Sequence, residues 1–404
     1  MTQTASHTTP LAAGMRFLGI EAGELPAVAW SFVYFFCIMS AYYMLRSVRE
    51  AMAIVGGVEN IPWLFTGTFV LMILATPVFG WVTSRYPRRQ FLPWVYYFFI
   101  SNILLFWLAF AWAQYADVSQ VWIGRGFFVW LSVFNLFVVS VFWSFMADIY
   151  SKEQSRRLFG IVSAGGSVGA LLGPIVTSVL VIPIGFKNLL PLSALLLLLA
   201  VFCVHRLRHW VTQKSASPQP PAPPIGGSAW AGLRFVITTP YFGVIAFAMV
   251  CGTFLGGVTY MYMARLVAEA YATTDLQTQI FALLDAFTNA GSLIGQLLLV
   301  KHAVRYLGVG VTLALLPLVS IAGFAMLAVQ PVFIVMAVLQ VLRRSITFGF
   351  TKPTSDMLYV VVSKEAKYKA KNFIDTAIYR GGDLFATWTI KFLGGLGLTG
   401  ISVL

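Results

Sequence analysis

The residues of this 404-residue chain best suited to chemistry are charges set inside long apolar runs. Arg46, Arg49 and Glu50 close the first run, and Asp285 stands among Leu283, Leu284, Ala286 and Phe287. Arg343 and Arg344 fall in a later run, and Asp375, Arg380, Asp383 and Lys391 mark the last one. A charge in hydrocarbon costs several kcal/mol, so such residues face a cavity or a partner. Arg46 and Glu50 are spaced i,i+4 and pair on one helix face. That leaves Arg49 without a local partner: it either snorkels to the outer interface or contacts an anion at the outer end of a pathway. Adjacent residues diverge by ~100° around a helix, so Arg343 and Arg344 are not expected to face one cavity, and one of them reaches the cytoplasmic interface as an anchor. Arg380 and Asp383, spaced i,i+3, are expected to pair with each other. Asp375, preceded by Lys369 and Lys371, is a candidate proton or cation site. Burial of a lone carboxylate favours protonation, so Asp285 is either a protonatable relay or the partner of a base on a neighbouring helix, for which Arg380 is a candidate.

The elements that must hold these charges are membrane helices. Hydrophobic residues make up 59% of the chain and charged residues 10%, against roughly 45–50% and about 25% in soluble proteins. The mean hydropathy is +0.83. A soluble enzyme, a disordered chain and a secreted disulfide scaffold are excluded. A transmembrane β-barrel, whose strands alternate in ~10-residue segments, does not fit the unbroken runs either. At about 20 apolar residues per crossing, the spans read as 25–45, 61–83, 91–113, 121–147, 157–182 and 187–205, then 237–264, 277–300, 307–327, 330–350 and 372–395.

Between the two sets, residues 215–227 read SASPQPPAPPIGG, a Pro/Gly/Ser stretch that behaves as a semi-rigid linker. The expected organisation is an N-terminal segment 1–24, a six-helix bundle 25–207, a Pro-rich linker 208–231 and a second bundle 232–404 of about five spans, with a twelfth helix missing or truncated. Such halves rock about a midplane site in alternating-access carriers. The first 24 residues hold a single base, Arg16, and read as neither signal nor transit peptide.

The net charge of +13 is topological. Even-numbered loops hold Arg85, Arg88 and Arg89, then Lys152, Arg156 and Arg157, the group from Arg206 to Arg234, Lys301 and Arg305, and the lysines from Lys352 to Lys371. Odd-numbered loops hold few bases, so the N-terminus and linker are expected in the cytoplasm. No nucleic-acid partner is implied. Cys37, Cys203 and Cys251 lie apart in apolar runs, and the four histidines form no constellation, so no metal, cofactor or enzymatic centre is expected. Gly165, Gly169 and Gly173, followed by Pro174, fall four apart, a small-xxx-small spacing for close packing at a conformationally active interface. No Lys-Ser/Thr follows them, so they form no P-loop.

The loop Gly80-Trp-Val-Thr-Ser84-Arg85-Tyr86-Pro87-Arg88-Arg89 resembles the G-x-x-x-D-[RK]-x-G-[RK]-[RK] gating signature of the major facilitator superfamily, with Ser84 and Pro87 departing from it. Gly169-Ala-Leu-Leu-Gly173-Pro174 is similar to that superfamily's G-x-x-x-G-P in the same helix. Longer stretches resemble the ATP/ADP translocases of plastids and intracellular bacteria: Tyr43-Met-Leu-Arg46-Ser-Val-Arg49-Glu50, Val58-Glu59-Asn60-Ile61-Pro62-Trp63-Leu64, Lys352-Pro353-Thr354-Ser355-Asp356-Met357, and Lys367-Tyr368-Lys369-Ala370-Lys371-Asn372-Phe373-Ile374-Asp375. Arg49 stands where the family has Lys, Ser355 replaces a family Lys, and the fourth helix around Leu131 lacks the family's Glu.

The resemblance implies an all-α major facilitator fold in a bacterial inner membrane, and a monomeric secondary transporter. The family activity is ATP/ADP exchange, and the unpaired bases inside the spans favour a small anionic cargo. Arg49 and Arg344 lead the substrate contacts, with Arg46 and Arg380; Arg344 stands where the family places a Lys. Coupling is either exchange, as the family implies, or proton symport through Asp285 or Asp375. The alternative is a non-transporting sensor or assembly protein on a transporter-derived scaffold.

Overall fold

The computed structural model describes residues 20–21, 23–85, 88–214, 234, 236–360, 362, 370–371 and 373–396; the side chains of 76–91 and 212–214 fall outside that description. The described residues form helices and their connections, with no strand among them. The first half comprises α1 (Leu25–Val55), α2 (Ile61–Arg85), α3 (Arg88–Tyr115), α4 (Val121–Ile149), α5 (Lys152–Ile184) and α6 (Leu189–Lys214). The second comprises α7 (Pro240–Ala270), α8 (Thr274–Ile294), α9 (Val300–Val329), α10 (Phe333–Ile346) and α11 (Tyr379–Gly395).

Among the described residues, nine segments are long and apolar enough to cross a bilayer, and one of them is the 56-residue run Thr274–Val329. That run is two crossings. A π-helical turn, Gly295–Leu299, carries α8 into α9, and at Gly308 the backbone takes φ 80°, which breaks the helix. A residue with a Cβ resists that conformation, so glycine is what permits the reversal. A second π turn, Thr347–Thr351, carries α10 on into Lys352–Leu358, and a third, Ile374–Ile378, leads into α11.

Several helices run past their expected ends, α6 as far as Lys214 and α7 as far as Ala270, and in two of them the extension moves charges inward. The first helix continues to Val55, so Arg46, Arg49 and Glu50 do not close it but lie inside it. The tenth crossing spans Phe333–Leu358, which puts Arg343 and Arg344 near its middle instead of near an end. The apolar stretch undercounts helix length here because helices that surround a polar cavity need not be apolar throughout.

α5 starts with a capping box in which Ser151 and Gln154 satisfy each other's backbone N–H groups. Its glycines then allow backbone contact with α1. A Cβ on Gly165 would lie 2.4 Å from the Phe32 carbonyl oxygen, one on Gly169 2.4 Å from that of Phe36, and one on Gly173 2.8 Å from that of Ser40. This stripe packs within the first half, while α5 also lies against α8. The buried aromatics Tyr34, Phe127, Phe134, Phe142 and Phe145 fill the centre of that half. α6 packs on α1 and α3. Among the described residues no equivalent covers α7 and α9, whose Val244, Phe247, Leu318 and Ile321 stay exposed.

The two halves close against each other at the end that carries the α1–α2, α5–α6 and α7–α8 turns. The Phe186 N–H donates to Asp275 Oδ1 (2.7 Å), Gln279 to the Ser178 carbonyl (2.8 Å) and Trp388 Nε1 to Thr66 Oγ1 (3.0 Å). The Trp63 and Trp388 rings meet edge to face at 4.9 Å. Ala53, Ile61, Phe128, Val258, Met261 and Ile390 form a buried cluster that crosses the seam.

Candidate functional site

Five helices bring polar or charged side chains to one layer. Arg46 on α1, Tyr260 on α7, Asp285 on α8, Arg344 on α10 and Asp383 on α11 each lie about ten residues, ~15 Å, in from their helix end on the closed side. They line a cavity of about 1720 Å³ between the halves. From this layer the cavity runs toward the opposite end, past Phe373, Asp375 and Lys352. On one side it continues into the uncovered α7–α9 face at Phe247, Leu313 and Pro317.

Asp285 is the hub. Its Oδ1 accepts from Arg344 Nη1 at 2.7 Å, and its Oδ2 lies 3.5 Å from Arg46 Nε. Only 3% of its side chain is exposed. The candidate pairing with Arg380 does not occur: Arg344 on α10 holds Asp285, and Arg380 stays beside Asp383 at 4.0 Å. Arg46 bridges Asp285 and Glu50, whose Oε1 is 3.7 Å away. Arg49 does have a neighbour, contrary to the spacing argument. Its Nη1 is 3.6 Å from Glu50 Oε1, and its guanidinium stacks 3.9 Å from the Phe128 ring centroid. The buried Nε of Arg49 has no hydrogen-bond partner. Glu50 also accepts the Tyr260 hydroxyl at 2.5 Å, a bond from one half to the other.

Arg343 and Arg344 both line the cavity, so the expectation that one of them anchors at the interface is overturned. The cavity wraps around α10, and a ~100° divergence sends Arg344 toward α8 and Arg343 toward α7. Arg343 is 7% exposed and donates through Nη1 to the Gly252 carbonyl at 3.3 Å. It fits because α7 is notched there: a Cβ on Gly256 would sit 3.0 Å from Arg343 Nη2.

Asp375 lies at the mouth, where it accepts from Lys352 Nζ at 2.8 Å; Lys371 pairs with Asp356 at 2.8 Å. Lys369 is outside the described residues. Lys391 stands at the closed end over Trp63 and Trp388, 5.8 and 5.4 Å from the ring centroids. Gly80, Arg85, Arg88 and Arg89 fall where α2 ends and α3 begins, and their side chains lie outside the described residues. Sequence reasoning gave no role to Tyr260 and misjudged Arg343. Nothing marks Tyr260 among the other aromatics, but the Gly252 and Gly256 spacing in α7 is a legible sign of close approach. Among the described residues, no three His, Cys, Asp or Glu side chains are grouped to hold a metal.

A family model described as Major Facilitator Superfamily matches residues 26–372. The chain belongs to the Major Facilitator Superfamily. Its family and fold are those of membrane transporters. This superfamily member is 20% identical over 461 residues to the chloroplastic ADP,ATP carrier protein 2 of Arabidopsis thaliana, covering 96% of this chain and 73% of that one. It is 25% identical over 171 residues to ADP,ATP carrier protein 2 of Chlamydia pneumoniae, covering 35% of this chain and 31% of that one.

Among solved structures, a bacterial homologue of the iron transporter ferroportin in an inward-facing state aligns with a TM-score of 0.61 at 15% identity, covering 94% of this chain and 96% of that one. The nucleoside transporter NupG aligns at 0.60 and 14% identity, covering 95% and 93%. These likenesses give the fold.

Proposed function

We propose that this transporter carries a small organic anion by alternating access, with the closed seam as its outer gate and the open end facing the cytoplasm of a bacterial inner membrane. One observation carries the proposal: in the charged layer, Arg46, Arg49, Arg343, Arg344 and Arg380 face only Glu50, Asp285 and Asp383, an excess of two positive charges in a cavity at membrane depth. A cavity so charged repels cations and lowers the energy of an anion that replaces its hydration shell with guanidinium hydrogen bonds. The ADP,ATP carrier relatives support a nucleotide as the cargo and exchange as the mode. Asp285, held between arginines of both halves, is the proposed coupling residue, with Asp375 at the mouth as the second.

The test is uptake into proteoliposomes of labelled ATP, ADP and small organic anions, with and without internal counter-substrate. Saturable uptake of at least one anion, stimulated by the same anion inside, is expected. Uptake of none of them overturns the proposal.

A further inference from the structure

The five guanidiniums do not share the three carboxylates evenly. Asp285 takes Arg344 at 2.7 Å, and Asp383 is 4.0 Å from Arg380. Glu50 serves both Arg46 and Arg49, at 3.7 and 3.6 Å, and Arg46 also leans on Asp285. Arg343 has no carboxylate within ion-pair distance among the described residues. Its protein partner is one carbonyl oxygen, that of Gly252, and its buried Nε is unsatisfied. Arg49 shows the same signature in the other half, with a buried unpaired Nε and a shared counter-ion.

A cation nine-tenths buried without a counter-charge destabilises the structure that holds it. The glycine notch of α7 nevertheless admits this guanidinium to the cavity wall. A group kept at such a cost is accounted for when its counter-ion arrives with the cargo.

We infer that Arg343 is the anion contact of the second half and Arg49 that of the first, and that the cargo is a dianion, its two charges matching the two surplus guanidiniums. This rests on the anion-transport reading above. Arg344, which the sequence favoured, is a structural partner of Asp285. A cargo held by both halves binds most tightly when both close on it, which is what alternating access needs. A phosphomonoester and a dicarboxylate both meet the charge requirement.

The experiment measures binding to purified full-length protein at pH 7.5 of AMP, its monoanionic methyl ester, adenosine and succinate, together with the melting temperature of the empty protein. Wild type is expected to bind AMP or succinate at least tenfold more tightly than the monoester. In Arg343→Gln that preference falls below threefold, while the empty protein melts at the same or a higher temperature. Arg344→Gln lowers the melting temperature. Gly256→Ala keeps the charge but pushes the guanidinium from its notch, and an intermediate preference is expected.

Arg343→Gln with an undiminished dianion preference, or with a lowered melting temperature or no folded protein, overturns the Arg343 assignment and leaves anion transport standing. Wild type that binds the monoester as tightly as the dianions overturns the charge match. Wild type that binds none of the probes overturns the dianion assignment, while the anion reading stands or falls by the uptake assay above. Binding of AMP without succinate identifies the phosphomonoester as the dianion, and the reverse identifies the dicarboxylate.

Discussion

Replacing Glu50 with Gln isolates the strength of one bond across the seam. Glu50 is 6% exposed and accepts the Tyr260 hydroxyl at 2.5 Å, α1 to α7. Its contacts with Arg46 and Arg49 lie within α1, so they persist when the halves part and do not bias the gate. The Tyr260 bond breaks on opening and does bias it. A hydrogen bond to a charged group contributes about 1.5–3 kcal/mol net and a neutral one about 0.5–1.5. Glutamine keeps the shape and an acceptor, so the loss is the difference, roughly 1–1.5 kcal/mol, or about a tenfold shift toward the open seam.

Met261 reports that shift, because it is buried in the cluster that crosses the seam. Cys251 is exposed and must first become serine, whereas Cys37 and Cys203 are buried. In Met261→Cys/Cys251→Ser protein, an impermeant maleimide applied from the seam side should label about ten times faster once Glu50 is Gln. Tyr260→Phe, which removes the donor outright, should exceed that. A labelling rate within twofold of the parent, in protein of unchanged melting temperature, would refute the assignment of Glu50 to the gate.

Asp285→Asn leaves Arg344 and Arg46 without their shared counter-charge. Breaking a buried pair costs about 3–5 kcal/mol, and the lower end applies because the arginines are 15% and 19% exposed. A marked drop in melting temperature is expected, partly reversed in Asp285→Asn/Arg344→Gln. Gly169→Val places a side chain 2.4 Å from the Phe36 carbonyl, and overpacking of about 1–3 kcal/mol or more should cut the monodisperse yield; Gly160→Ala, with nothing within 4 Å, should not. At the start of α1, burial pushes the Glu24 carboxyl up, but hydrogen bonds from the Glu21 N–H and Gln154 and the Arg157 guanidinium outweigh it and hold it below the usual carboxylate range. A depressed folded-state pKa means stability fully present above the unfolded value near 4.5 and lost as pH falls through the folded value. Thermal stability followed from pH 6 to 3 should therefore decline less steeply in Glu24→Gln.

The crossings were legible because a bilayer demands long apolar runs; α2 to α5 stand within about five residues of their expected bounds, while α6 runs on from its expected end at 205 to Lys214. Among the misjudged ends, those of α1 and α10 lie where cavity-facing polar residues interrupt the run without interrupting the helix. The π turns in α8, α10 and α11 were invisible, since no residue type demands them. At the site, the sequence identified the charged residues and the pairs made within one helix, Arg46 with Glu50 and Arg380 with Asp383, but not the partners on other helices. Helical spacing orders neighbours on one helix, as it did for Arg380 and Asp383, whereas Asp285 meets Arg344 and Arg46 from two other helices. The rule that adjacent arginines diverge was sound; the inference from it failed because the cavity embraces more than 100° of α10.

Gate and proposed cargo site draw on the same guanidiniums, and this links their energies. Glu50 holds Arg49 and Arg46 while it accepts from Tyr260, and Asp285 holds Arg46 across the seam. An anion held by Arg49 of one half and Arg343 of the other adds contacts between the halves, and so tightens the seam. Coupling of this kind is reciprocal: whatever factor the anion applies to seam opening, seam opening applies to anion affinity. A saturating dianion should therefore slow maleimide labelling of Met261→Cys, and slow it in the Glu50→Gln background as well, because the bridge from Arg49 to Arg343 does not pass through Glu50. Labelling that a bound dianion leaves unchanged in both backgrounds would mean that the arginines serve the cargo without touching the gate.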